Sequence, residues 1–358
     1  MNKFSAASCR LALALICICA SSTVGAQTTA PTPSLVHQNL ERLRASISSV
    51  IPNAQGVVGV SIKHLESGAS VSVNGDQMFP MASTYKVPLL VELHAMAKDG
   101  RLKWDEIVEV TPRDQHLGSG DLTRNFDAPG IQLSLRNLAN LMMIISDNSA
   151  TDMLLKRAGA ANVEKRMRTL GIEAIRIDRS THEMNLDYQG RDTAKLKDLS
   201  RDELHVAMRR DPRSLTVEAR FANDDRFGND SRDGASPNAT VALLEKIWRG
   251  EAVDRGASDA MLELMKRCRT GENRLRGYLP AATVVAHKTG SFGGVINDVG
   301  IIYLPGNAGH IAISVFTKNT RVTSEEAERV LAHIGRYAYD YFLFTAENPA
   351  AGAARPEQ

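Results

Sequence analysis

The sequence predicts an α/β fold, an antiparallel sheet flanked by helices with an all-helical domain inserted into it, and two observations carry that expectation. Dense β-branched runs lie near both ends of the chain, and amphipathic helical patterns fill the middle. One sheet must then be assembled from distant segments, with the helices as an excursion between its strands. The boundaries fall at 35–80 and 275–345 for the α/β domain and 81–274 for the helical one. At 358 residues with 43% apolar side chains, the chain can bury one large core or two adjoining ones.

Taken in order, Leu40, Leu43 and Ile47 recur at helical spacing as far as Ser49. Val57 to Val60 with Ile62, the turn signal Glu66-Ser67-Gly68 and then Ala69 to Val73 read as a β-hairpin. A helix over Pro88 to Ala97 continues the turn that carries Ser83. Leu138, Leu141, Met142 and Ile145 mark another, and Ser149 with Asp152 reads as a capping box opening a third that Gly159 ends. Met261 to Cys268 is helical. Thr283 to Ala286, Val299 to Leu304 and Ile311 to Phe316 are the later strands, and Thr323 with Glu326 caps a closing helix.

The segment from about 188 to 226 stands apart, rich in Arg, Asp and Lys and poor in large apolar groups. It reads as a solvated surface loop with one short helix, capped by Ser200 and Glu203 and stopped by Asp211-Pro212.

The first 26 residues have the pattern of an export signal: Lys3 and Arg10, a short apolar run from Leu11 to Ala20, and Val24-Gly25-Ala26 as a small-residue cleavage site. The run is shorter than the ~20 apolar residues a bilayer requires, so no membrane span is expected in the mature chain. A periplasmic or secreted protein follows, with a flexible lead-in over 27–34 and a disordered tail over 346–358. Cys268 is then the one cysteine beyond the signal, which leaves no internal disulfide.

Formal charge is only +2, and no long basic block occurs. Nucleic acid is therefore not expected as a partner, and a small or medium-sized polar substrate fits better; a monomer is expected. None of the nine histidines has a metal-ligand pattern, since His182-Glu183 lacks a second histidine four places after the first. No metal and no cofactor are expected.

Three short strings carry the chemistry: Ser83-Thr84-Tyr85-Lys86, Ser146-Asp147-Asn148 and Lys288-Thr289-Gly290. They supply a nucleophile with an amine one helical turn away, a second hydroxyl for proton traffic and a cationic edge for a carboxylate. A serine three places before a lysine arises by accident about once in a chain this long, but all three strings in this order arise on the order of once in a thousand such chains. Met81, Val87, Pro88, Leu89 and Leu90 imply that Lys86 is buried, and Lys288 is the neighbour that would lower its proton affinity.

With these strings the chain resembles the penicillin-recognising serine enzymes, and within them the class A β-lactamases, from about Leu35 to Phe344. Ser291 after the third string and Asn297-Asp298 opening a strand extend the match. The resemblance implies a β-lactamase/DD-peptidase-like fold and hydrolysis of a β-lactam through an acyl-serine. Ser83 would attack the lactam carbonyl, and Lys86 would take its proton. The backbone N–H groups of Ser83 and Ser291 would form the oxyanion hole. Ser146 would protonate the departing nitrogen, Asn148 would hold the substrate's side-chain amide, and Lys288, Thr289 and Ser291 would grip the carboxylate.

Class A enzymes also carry an Arg, a Glu two places later that activates the water releasing the acyl group, and an Asn four places after the Glu. Arg179 and Asn185 match, but the base position holds Thr181, and an alcohol cannot serve as a base near neutral pH. Glu183, two places on, is the nearest carboxylate in sequence and the expected substitute. Arg179 should pair with Asp233 at the exit of the same loop, and the charged segment is then an insertion into that loop. Slow release would make the protein a penicillin-binding protein, a DD-peptidase or a β-lactam sensor instead.

Overall fold

The computed structural model describes residues 35–116, 118–126, 128–210 and 216–345. The export signal, the lead-in, the tail and Asp211-Pro212 lie outside the described residues.

The chain begins with α1 (Leu35–Val50), whose Leu43, Ile47 and Val50 are buried at one face. The hairpin follows as β1 (Val57–His64) and β2 (Ser70–Val73), antiparallel in the register Val60 to Val73. A two-residue strand β3 (Phe79–Pro80) leads into a 3-10 turn, Ala82–Tyr85, and then α2 (Lys86–Lys98). A small antiparallel pair, β4 (Ile107–Val110) and β5 (Ile131–Ser134), precedes α3 (Leu135–Ile144).

Next come α4 (Asn148–Ala158) and α5 (Ala160–Thr169). The expected capping box is corrected here: Asp147 caps α4 by accepting the Ala150 N–H, which leaves Ser149 and Asp152 free for other partners. Gly159 closes the helix with φ of 79°.

The loop after α5 leads to α6 (Thr181–Tyr188), opened by a reciprocal box between Ser180 and Glu183. The charged segment is not the loop that its composition suggested. It folds into α7 (Thr193–Leu196), α8 (Arg201–Arg210) and α9 (Val217–Gly228), which bury Leu204 and Phe227. Two well-placed apolar side chains suffice to seat short, capped helices, and charge density alone could not reveal them.

A short strand β6 (Gly234–Ala235) pairs with β3, and Ser236 then caps α10 (Pro237–Arg249), with Pro237 in the first turn and Gly250 in the left-handed region at the end. After α11 (Arg255–Lys266) the sheet is completed by β7 (Val285–Phe292), β8 (Val295–Tyr303) and β9 (His310–Lys318). Both β7 and β8 extend beyond the apolar runs that identified them. The expected box between Thr323 and Glu326 is present and opens α12 (Ser324–Thr345).

The sheet order is β2-β1-β9-β8-β7, antiparallel throughout, so the first strand of the chain sits beside the last. One face is covered by α1 and α12, around Ile62, Ile313, Leu331 and Ile334. The other meets the helical region through Phe79, Val299, Phe316 and the buried faces of α2, α3, α4, α10 and α11. Strand β7 ends the sheet, and its outer edge lies against the 3-10 turn that carries Ser83.

Candidate active site

The nucleophile turn is placed by contacts from both sides. Asn297 on β8 donates its side-chain N–H to Pro80 O at 2.8 Å and to Met81 O at 3.1 Å, and its own oxygen accepts the Thr317 N–H at 2.9 Å. The softer sequence match at Asn297 is thus a clamp between sheet and turn. Gly290 is required beside it, because a Cβ there would lie 2.6 Å from Met81 O and 3.2 Å from Ser83 N. That approach brings the start of Ser291 next to the Ser83 amide. Ala82, just before the nucleophile, has φ of +45°, a strained conformation of the kind that collects at functional sites.

Lys86 is fully buried at the start of α2. Its Nζ donates to Ser146 O at 2.8 Å, Ser146 Oγ at 3.0 Å and Asn148 Oδ1 at 3.1 Å; the expected direct bond to Ser83 is not among these contacts. Burial, and then the charge of Lys288, push the Lys86 ammonium well below its usual range.

Ser146 stands in the tight joint between α3 and α4 with φ of +60°. Its Oγ is also 2.9 Å from Lys288 Nζ, so two buried ammonium groups converge on one hydroxyl. Lys288 donates further to Thr289 O at 2.7 Å. Burial draws Lys288 down to about 8, an effect that the charge of Arg274 reinforces while Cys268 and Asp298 resist it. The joint is tied to the loop in front of it: Asp147 accepts the N–H groups of Asp121 and Leu122 at 2.7 and 2.9 Å, and Ser119 Oγ donates to Ser146 O at 2.6 Å.

Seven of the eight candidate residues gather here. A cleft of about 170 Å³ is lined by Ser83, Asn148, Thr181, Asn185, Ser291 and Phe292, among others. Lys86, Ser146, Lys288 and Thr289 sit directly behind its wall. The Thr289 hydroxyl meets Thr270 at 2.5 Å, and Ser291 Oγ accepts from Arg274 at 2.6 Å.

Glu183 is the exception. Its carboxylate accepts the Ser180 N–H at 3.0 Å as half of the α6 cap and lies 3.5 Å from Lys197, and it is not part of the cleft lining. The residue expected to replace the missing base is occupied in starting a helix. The Ser180-x-x-Glu183 spacing signals that cap in the sequence itself.

Reading the strings alone missed three groups. Arg274 is buried, pairs with Glu328 at 3.0 Å, and donates to Gly290 O, Asn297 O and Ser291 Oγ, so a second cation backs the carboxylate edge. Asp152, buried, and His116, half-buried, form a pair behind Thr181. The expected pairing of Arg179 with Asp233 is present at 2.6 Å, pinning the neck of the loop.

Among the described residues no group of three or more His, Cys, Asp or Glu is placed to hold a metal ion. A larger cavity of about 500 Å³ lies between β1 and β2 and the helices α1 and α10; of its charged groups, Lys63 and Glu245 neutralise each other at 2.6 Å, and Glu41 and Arg44 add one charge of each sign. It offers no nucleophile comparable to Ser83.

A site in which a serine faces two buried lysines suits covalent transfer of an acyl group, and comparison with known proteins agrees. VEB-1, a β-lactamase of Pseudomonas aeruginosa, is 26% identical over 321 residues, spanning 87% of this chain and 94% of its own. The carbapenem-hydrolyzing β-lactamase KPC of Klebsiella oxytoca is 25% identical over 80% of this chain and 84% of its own. Among solved structures, a β-lactamase from Chitinophaga pinensis superposes with a TM-score of 0.66 at 29% identity, covering 84% of this chain and 98% of that one. A reconstructed ancestral class A β-lactamase, 24% identical, has the same fold with a TM-score of 0.66 over 83% of this chain and 99% of its own. The profile described as "Beta-lactamase enzyme family" matches residues 42–342, and by that match, with a class A fold beneath it, this chain belongs to the β-lactamase enzyme family.

Proposed function

We propose that the protein is a serine β-lactamase that opens the cyclic amide of β-lactams through an acyl-enzyme on Ser83. The observation that carries this reading is the Ser146 hydroxyl held at 3.0 Å from Lys86, the lysine one turn of chain after Ser83, and at 2.9 Å from Lys288. An amine whose proton affinity is lowered by burial and by a second cation is the group that can take a serine proton near neutral pH.

In acylation, Lys86 accepts the Ser83 proton as Oγ bonds to the lactam carbonyl carbon. Negative charge on the carbonyl oxygen meets the N–H groups of Ser83 and Ser291, each contributing about 3 kcal/mol when prearranged. The proton on Lys86 passes through Ser146 Oγ, its hydrogen-bond partner, to the lactam nitrogen as the C–N bond breaks. Lys288, Thr289 and Ser291, with Arg274 behind them, hold the substrate carboxylate. Asn148 meets the amide side chain.

Among the described residues no helix is long and apolar enough to cross a membrane. We infer an exported, periplasmic or secreted monomer, cut after Ala26, on the strength of the basic start, short apolar run and Val24-Gly25-Ala26. Many turnovers of a chromogenic cephalosporin by the wild type, and loss of both turnover and covalent mass adduct in Ser83→Ala, are the expected results. A stoichiometric burst followed by arrest would instead make the protein a penicillin-binding protein or sensor.

A further inference from the structure

An acyl group on Ser83 leaves only if water attacks the ester, and that water must lose a proton as its oxygen bonds to carbon. No carboxylate lines the cleft among the described residues, and Glu183 is held at the α6 cap. Thr181 does line it, with Asn185 beside it. Asn185 donates its side-chain N–H to Thr181 O at 2.8 Å, which leaves its oxygen for a water.

Behind Thr181 stands a carboxylate. Thr181 Oγ1 donates to Asp152 Oδ2 at 2.8 Å, so its lone pairs are available to a donor in the cleft. Asp152 is buried and held in a fixed orientation by four contacts: the Thr181 hydroxyl, the N–H of Thr181 at 2.8 Å, the N–H of His182 at 3.0 Å and His116 Nδ1 at 2.7 Å. His116 Nε2 faces the Arg113 carbonyl at 3.0 Å, so both ring nitrogens meet acceptors. Burial works against a charged His116, yet the hydrogen bond and charge of Asp152 outweigh it and raise the ring above its ordinary value. Of the four contacts of Asp152, only the Thr181 hydroxyl leads to the cleft.

We propose that Thr181 and Asp152 form a proton relay for the hydrolytic water, with Thr181 as the catalytic residue and Asp152 acting through it. Water oxygen bonds to the acyl carbon while its proton moves to Thr181 Oγ1, and the Thr181 hydroxyl proton moves to Asp152 Oδ2. When the tetrahedral intermediate collapses, the carbon–Oγ bond of Ser83 breaks. The proton returns from Asp152 through Thr181 to Ser83 Oγ, and the product acid ionises in solvent. A hydroxyl stands between the water and the carboxylate, so this relay is slower than a carboxylate placed directly on the water.

The inference rests on the acyl-serine reading above and is tested so that the two fail differently. Thr181→Val keeps the shape and removes the hydroxyl; Asp152→Asn keeps the size and removes the base, at the loss of one accepting oxygen; Thr181→Ser retains the relay. Rapid-mixing kinetics and intact mass of the full-length enzyme with a penicillin separate formation of the adduct from its release. The first two variants are expected to form the Ser83 adduct at close to the wild-type rate and to release it about 100-fold more slowly, so that it accumulates. Thr181→Ser restores most of the release rate. If Asp152→Asn does not fold, Thr181→Val alone decides. Release at the wild-type rate in Thr181→Val, or equal slowing of formation and release, overturns the relay while leaving the acyl-serine intact. Absence of any adduct in the wild type, with no substrate consumed, overturns both.

Discussion

The Ser146 oxygen is the point at which the chemistry of this protein is concentrated. It receives one ammonium from the helical region and one from the sheet, and burial together with the charge of Lys288 lowers the proton affinity of Lys86, the proposed base. In the proposed mechanism Lys288 has a second duty, since its positive charge holds the substrate carboxylate. With Lys288 held at about 8, it is cationic below that pH and neutral above it. The expected outcome is that kcat/KM falls as pH rises through about 8, mainly through KM, in a steady-state profile of the free enzyme. A flat profile from neutral pH to pH 10 would remove the assigned role. At this scale Ser83, Lys86, Ser146 and Lys288 were legible because each lies in a short contiguous string. Asp152 and Arg274 were not, because what defines them is a partner dozens of positions away.

At the scale of elements, caps explain both the successes and the error. The boxes at Ser200-Glu203 and Thr323-Glu326 were read correctly because side chain and backbone satisfy each other within one turn. The same pattern at Ser180-Glu183 is a cap rather than a source of the catalytic base, and at Ser149-Asp152 the spacing occurs without a cap, which Asp147 supplies instead. A glutamine can make the same reciprocal bond as a glutamate, so Glu183→Gln is expected to turn substrate over at nearly the wild-type rate. A large loss of kcat in that variant would restore Glu183 as the base.

The charged insertion also belongs at this scale. Its helices reach the cleft through aromatic contacts: Tyr188 and Phe227 pack on Phe292, with ring centroids 4.9 and 4.7 Å away, and Tyr188 is fixed by Asp224 at 2.8 Å. Composition revealed that the segment was polar. It could not reveal that a few aromatic side chains anchor it to the end of β7.

Across the whole molecule, the division into sheet strands at both ends and helices between them was readable from periodicity. The pairing of β1 with β9 was not, because strand order depends on contacts between residues some 250 positions apart, such as Val58 and Thr317. Where sheet and helices meet, Gly59 on β1 makes close packing possible: a Cβ there would lie 2.3 Å from the Phe79 ring and 2.9 Å from Pro237. Gly59→Ala is therefore expected to cost about 1–3 kcal/mol in chemical denaturation, the usual penalty of overpacking. An unchanged midpoint would mean that the two regions yield to one another more easily than their contacts imply.

The strand order has a further consequence for how this protein comes into being. Lys288 and its neighbours are synthesised in the final quarter of the chain, and their strands join the first hairpin only through β9, which ends at Lys318. A ribosome that has finished the nucleophile, the helices and the whole insertion has made a polypeptide with no working centre. In the proposed mechanism, reactivity toward substrate therefore requires that the two extremities of the sheet meet.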